Sequence, residues 1–499
     1  MKRFIQYQTD RLSAIPNMAS AISKKISEFQ FDYRKMLEEA SVFFESHYEY
    51  EAELAQIKKK NTAYQEHIDI VENYKKEKGK LPIIKGQRSA QRYLEKLHQK
   101  IDKGELRIKQ IATERLKARG ERYIALEKLI DNILDLLDGP KIFSQFLGTM
   151  VLSTPLPNET VRCTRNEKNK PIYITALTVA LFEETRLFYQ YKSPYLKQAL
   201  SDVIGDDKVS LMQRHDHKPF SKEQKMAYRE EVLKPIVKAT LLRHIGSYSP
   251  HAEAIYQGNR FRLLDVEERN KLLSSIKRHS YLYLSQGVGL PQKRFDKKEE
   301  RDEFFAVENA KLEFMKQLLD FDNQGPELRD LIRIPMVYAS FMLSTKEEYD
   351  YRNMYRAYDI LKDGMKQGEY NANFCALFLR MVGRFPLGSG IYFISNDTEQ
   401  IEKGIVSSLF PKNPEEPYVK QITRNHIQSL SQSEVLVVRS TNIYFDSTRE
   451  NSGIDEAIFT QRYQPPYVWN ANEVWEVQVP ALVFWKKDGT IKQSNLSQI

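Results

Sequence analysis

Apolar residues recur along the first third of the chain at the spacing of a coiled-coil seam. From Met36, steps of four and three residues meet Ala40, Phe43, His47, Tyr50, Leu54, Ile57, Asn61, Tyr64, Ile68 and Val71, a 3.5-residue period that turns one stripe of a helix toward a partner. Gly79-Lys-Leu-Pro82-Ile-Ile-Lys-Gly86 then supplies the breakers that end the helix. A second seam runs through Leu94, Leu97, Ile101, Ile108 and Ile111. After Gly120 a third runs through Tyr123, Leu126, Ile130, Ile133 and Leu137, before Asp138-Gly139-Pro140 stops it. The pattern predicts an antiparallel helical hairpin, or coiled coil, feeding a third helix. Packing within the chain is the preferred reading, with a homodimer or a protein partner bound through these helices as the alternatives. Asn61 in the seam suits a residue that fixes register or partner, and equally a solvated edge position.

From 141 to 383 the chain reads as mostly helical, with Ala/Leu/Glu-rich runs such as 176–187 and 308–319. After Pro386 the pattern changes to short strands: 390–394, 404–406, 435–439 and 474–479 alternate or run apolar between turn residues, and Lys487-Asp-Gly489-Thr490 suits a hairpin turn. The prediction is a mainly α protein in three parts: a helical coiled-coil-like region 1–140, a helical domain 141–385 and a small C-terminal β module 386–499.

The chain has 499 residues, enough for two or three domains, and its two cysteines, Cys163 and Cys375, offer neither a disulfide framework nor a metal spacing. No apolar run approaches the roughly 18 residues that cross a bilayer, and the first residues lack the apolar core of a signal peptide. A cytoplasmic bacterial protein is the expectation. The net charge of +9 admits an acidic partner such as nucleic acid, a nucleotide or a membrane surface. Because most lysines share their helices with glutamate, as at Lys75-Lys76-Glu77-Lys78, solvated helix faces are the simpler explanation.

The most informative chemistry lies in Ala239-Thr-Leu-Leu-Arg243-His244-Ile245-Gly246. It resembles the Leu-Leu-His-Asp-Ile-Gly turn by which HD-type phosphohydrolases hold divalent metal. The surroundings resemble the HD-GYP family, bacterial cyclic di-GMP phosphodiesterases, over about residues 172 to 422. They include Ser249-Pro-His-Ala-Glu253, Ile276-Lys277-Arg278-His279-Ser280, Tyr355 to Gly364 and Val382-Gly-Arg-Phe-Pro386-Leu-Gly-Ser389.

That resemblance implies an all-helical HD-like core with metal-ligand positions at Thr175, Arg243, His244, His279 and Ala339. Guanidinium and methyl groups have no lone pair to give a cation, and the family's His-His-Glu run has no counterpart, the nearest text being Leu318 to Pro326 with Asp320 and Asp322. A two-metal hydrolase needs several carboxylates and imidazoles to hold its ions. The expectation is therefore a catalytically inactive HD-GYP-like protein, with no catalytic residue and no cofactor, acting as a regulatory, scaffolding or nucleotide-sensing component of bacterial signalling, with a cyclic dinucleotide among the candidate ligands. Arg243, Lys277 and Arg278 are candidate anion contacts, with Arg243 paired to Glu253 as the simpler alternative. His244, His279 and the His215-Asp216-His217 cluster are weak metal candidates. Two other functions stay open: a divergent metal-dependent cyclic-dinucleotide phosphodiesterase, and a basic nucleic-acid-associated scaffold. No Walker-type loop, Ser-His-Asp set, cysteine nucleophile or His-Glu-x-x-His helix is present.

Overall fold

The computed structural model describes residues 19–137, 140–154, 159–186, 189–204, 221–319, 326–422, 434–463 and 467–471. Helices α1 (Ala19–Lys78) and α2 (Ala90–Leu137) form the antiparallel hairpin, two rods of roughly 90 and 70 Å at 1.5 Å per residue. The seam packs as its spacing predicts: His47, Ile68 and Val71 on α1 and Leu97 and Ile111 on α2 are buried, and the seam positions between them are half-buried. Arg107 donates to Glu53 (Nε to Oε1, 2.8 Å) and Arg115 to Glu51 (2.7 Å). Asn61 lies over Gly104, where a Cβ would stand 2.6 Å from its Oδ1. The polar seam residue is thus half-buried against a glycine of the partner helix.

Gly120 does not divide two helices, because α2 runs through it unbroken to Leu137. A glycine inside a helix costs about 1 kcal/mol relative to alanine, too little to stop a helix that buries apolar residues on both sides of it. At this position the chain meets the Gln292 side chain, whose Nε2 donates to Leu116 O (2.6 Å).

The rest of the α region comprises α3 (Pro140–Leu152), α4 (Glu159–Thr185), α5 (Pro194–Ile204), α6 (Lys222–Tyr228), α7 (Lys234–Leu242), α8 (Pro250–Tyr256), α9 (Val266–Leu282), α10 (Lys298–Leu318), α11 (Pro326–Met342), α12 (Arg356–Lys366) and α13 (Ala372–Val382). Helix α4 is the axis: every residue from Pro171 to Phe182 is buried, as in a helix covered on all sides. It packs against α1, α3, α7, α11 and α13. Helix α2 is seated on α7 by charge: Lys234 Nζ lies 3.0 Å from Asp131 and 3.3 Å from Glu127, and Lys238 also pairs with Glu127.

The C-terminal strands β1 (Gly390–Ile394), β2 (Ile401–Val406), β3 (Tyr418–Ile422) and β4 (Glu434–Leu436) form one antiparallel sheet in sequence order. Gly390 pairs with Ile405, Gly404 with Gln421 and Val419 with Val435. Two short helices, α14 (Asp446–Asn451) and α15 (Glu456–Arg462), follow the strands of this small β-rich module. The strand expected at 474–479 and the turn at 487–490 lie outside the described residues. A single apolar cluster runs from Ile26 and Phe44 at the base of the hairpin, through α4, to Ile391, Val419 and Trp469.

Candidate functional site

Helix α7 ends at Leu242, and Arg243-His244 leads into a 3-10 turn, Ile245–Tyr248. The apolar frame of this segment, Leu241, Leu242 and Ile245, is fully buried. Ser280 on α9 ties the turn down: its Oγ accepts from Gly246 N (3.0 Å) and donates to Arg243 O (2.9 Å). A Cβ on Gly246 would stand 2.3 Å from Ile276 O and 2.7 Å from Ser280 N, so glycine is required for the turn to sit this close to the α9 backbone. Gly246→Val is expected to cost about 2–4 kcal/mol, read as a lower denaturant midpoint at unchanged slope.

Beside this turn is a cavity of about 490 Å³, within the size range of small-molecule sites. Helix α4 gives it Glu167, Lys170 and Ile174, the turn gives His244 and Tyr248, and the segment after α11 gives Lys346. Arg260, also in its wall, is fully engaged. Its Nε donates to Glu167 (3.0 Å), it pairs with Glu253, it donates to Ser247 O and Oγ (3.1 and 3.2 Å), and Tyr248 stacks on it at 3.9 Å. Glu167, the one carboxylate among the described residues of the wall, shares this guanidinium with Glu253. Lys346 Nζ donates to Arg262 O (3.0 Å) and to no other group among the described residues. Lys170 makes no hydrogen bond or ion pair among the described residues and faces the cavity. Burial and the nearby Lys346 bring its ammonium down to about 8. Pro171 follows it and has no N–H to give the carbonyl one turn back.

His244 stands in the same wall, with burial, Arg243 and Lys170 pushing its imidazolium down to about 3. Its Nε2 is 3.1 Å from Met336 Sδ, and because a thioether only accepts, this contact makes Nε2 the protonated nitrogen. A neutral imidazole in this setting is neither a cationic anchor nor a strong base near pH 7.

The loop carrying Lys346 is fixed from beneath. Arg162, fully buried at the start of α4, donates to Ser344 O (2.8 Å), Lys346 O (2.6 Å) and Glu347 O (3.0 Å), and Tyr349 lies 4.8 Å from its guanidinium. Asn166 Nδ2 adds a bond to Ser344 O (2.9 Å).

The positions nominated from the sequence do not all meet. Arg243 and His244 share the turn, and with Lys277 both also line a second cleft that contains Arg329 and Arg333. Thr175 on α4 and Ala339 on α11 are fully buried, Thr175 donating to Pro171 O (2.8 Å); from these two helices Glu167, Lys170, Pro171, Ile174 and Ser340 line the cavity. His279 points away from the cavity to the hairpin, with Nε2 2.7 Å from Tyr48 Oη and its ring 5.0 Å from His251. Arg278 is exposed and lines neither space. Glu253 pairs with Arg260 instead of Arg243, which donates to Leu319 O (3.1 Å). His215, Asp216, His217, Asp320 and Asp322 lie outside the described residues. No group of three His, Cys, Asp or Glu among the described residues is placed to hold a metal ion.

Lys170 was missed from sequence although a signal existed: it is the last charge before the apolar run beginning at Pro171, so any helix that buries the run draws its ammonium inward. The fold and site define a helical protein with a half-open cavity to whose lining Lys170, Arg260, Arg269 and Lys346 contribute. Among known proteins the chain matches no family model, no curated protein and no solved structure.

Proposed function

We propose that this chain is a binding protein without hydrolytic activity, a regulatory component that senses a phosphorylated, nucleotide-class anion in the cavity beside His244. The observation that carries this reading is Lys170, a half-buried ammonium that lines a half-open cavity and has no ion-pair partner among the described residues. Burying such a group is costly unless something pairs with it, and sites that tolerate the cost are enriched in function. Lys346 and the exposed Arg269 in the same wall add charge of the same sign. The resemblance to HD-GYP proteins supports the reading in position only: the cavity lies where the segments carrying Arg243-His244, Thr175 and Ala339 approach one another, and lysine and serine face it there.

Isothermal titration with GMP and cyclic di-GMP, with guanosine as the uncharged control, tests this together with metal analysis of the purified protein. Micromolar binding of a phosphorylated probe, recovered intact, with no heat from guanosine is the expected result. Hydrolysis of cyclic di-GMP by protein holding stoichiometric manganese or iron would replace this reading with a metal-dependent phosphodiesterase. Absence of heat from either anion would reject the sensing role.

A further inference from the structure

The far end of the hairpin concentrates the charge of the chain. Between Lys75 and Arg92 seven lysines and arginines stand against one carboxylate, Glu77. The resulting +6 compares with +9 for the whole molecule. All seven are exposed, and none forms an ion pair among the described residues. The connection is closed by Gly79 and Gly86, both at positive φ, and by a turn bond from Gln87 N to Ile84 O (3.1 Å). At its crest Ile83 is 101% exposed, with Leu81, Pro82 and Ile84 partly exposed beside it. Beyond Glu51 the α1 rod continues for another 27 residues, which carries the crest roughly 40 Å outward.

We infer that this crest docks on the surface of an anionic phospholipid bilayer, its cations over the headgroups and Ile83 at the acyl boundary. Charge complementarity selects an anionic partner. The apolar chemistry then selects among anionic partners. Single-stranded nucleic acid is held by aromatic rings or guanidinium planes on which bases stack, and no aromatic residue lies between Tyr74 and Tyr93. Aliphatic side chains ringed by lysine suit an interfacial contact, in which apolar groups enter the headgroup boundary and ammonium groups remain among the phosphates. Five of the seven cations are lysine, a point charge suited to a diffuse anionic surface, whereas recognition of one defined phosphate favours the arginine fork.

Flotation of the full chain with vesicles of phosphatidylcholine, with and without about one-third phosphatidylglycerol, tests the inference. The expected result is at least about tenfold preference for the anionic vesicles, declining with salt. Lys80→Glu/Lys85→Glu is expected to remove most of that preference. Ile83→Asp is expected to weaken binding about threefold or more while leaving the salt dependence in place. These side chains are exposed, and unchanged far-ultraviolet circular dichroism checks that each variant is folded. Equal binding to neutral vesicles, no binding to anionic ones, or binding indifferent to the crest substitutions overturns the inference. So does loss of binding to a generic RNA oligonucleotide in the same variants while vesicle flotation is unchanged.

Discussion

Lys170→Met is expected to make the free protein more stable at pH 7 and to abolish its affinity for anions. The ammonium is held at about 8, against roughly 10.4 for an unfolded lysine. Below pH 8 folding therefore holds a charge where partial loss of water disfavours it. Removing the charge while keeping an apolar stem of similar length is expected to return on the order of 1–3 kcal/mol. The sign of the pH dependence follows. Between about 8 and 10 the unfolded chain holds the proton and the folded chain does not, so wild-type stability rises with pH across that window. The variant lacks this rise. Anion affinity in the wild type runs the other way, falling above pH 8 as Lys170 loses its charge. Thermal melts at pH 7 and 9.5, with and without millimolar pyrophosphate, read both effects. A variant less stable at pH 7 with its affinity intact would identify Lys170 as a packing residue.

Arg162→Met is expected to cost about 3–5 kcal/mol and to uncouple the loop that bears Lys346. Its guanidinium replaces water for three main-chain carbonyls just beyond the end of α11. In that position the cation also meets the negative end of the helix dipole. Methionine fills the volume and leaves those oxygens without the donor. Arg162→Lys is expected to recover little, since one ammonium cannot span acceptors that a planar fork reaches together. Urea denaturation measures the loss, and limited proteolysis between Ser344 and Tyr349 reports whether the loop has come free. Unchanged stability in Arg162→Met would show that water satisfies those carbonyls equally well.

The hairpin was legible because the 3.5-residue spacing from Met36 to Val71 survives in the burial of the same positions. The breakers at Gly79 and Pro82 fell where the chain reverses. Gly120 misled because a breaker is judged locally, whereas the helix through it is held by tertiary packing and by Lys234 and Lys238 on α7. Helices α14 and α15 were hidden within a segment whose turn residues and short apolar runs fit strands as well as single helical turns. At the site, the turn was visible as Leu-Leu-Arg-His-Ile-Gly, and its glycine proved to be an approach requirement. Which residue of α4 faces the cavity was not visible: α4 is buried on every side from Pro171 onward, so apolar periodicity carries no facing information there. On α11 the phase survives: half-buried Arg329, Arg333 and Met336 and exposed Ser340 share one face, and Ala339 lies on the buried one. Arg162 acts on carbonyls 182 to 185 residues away and Arg260 on Glu167, 93 residues away, which no local pattern records.

The distance between the two anion-seeking regions has an electrical consequence. Tyr33, in the cavity wall, and Lys78, at the crest, belong to one helix and are 45 residues apart, roughly 65–70 Å along its axis. Mobile ions extinguish a field over about 8 Å at physiological strength, so several such lengths of electrolyte intervene. Occupancy of one region leaves the potential at the other unchanged, and any communication between them has to travel as mechanical strain through the rods.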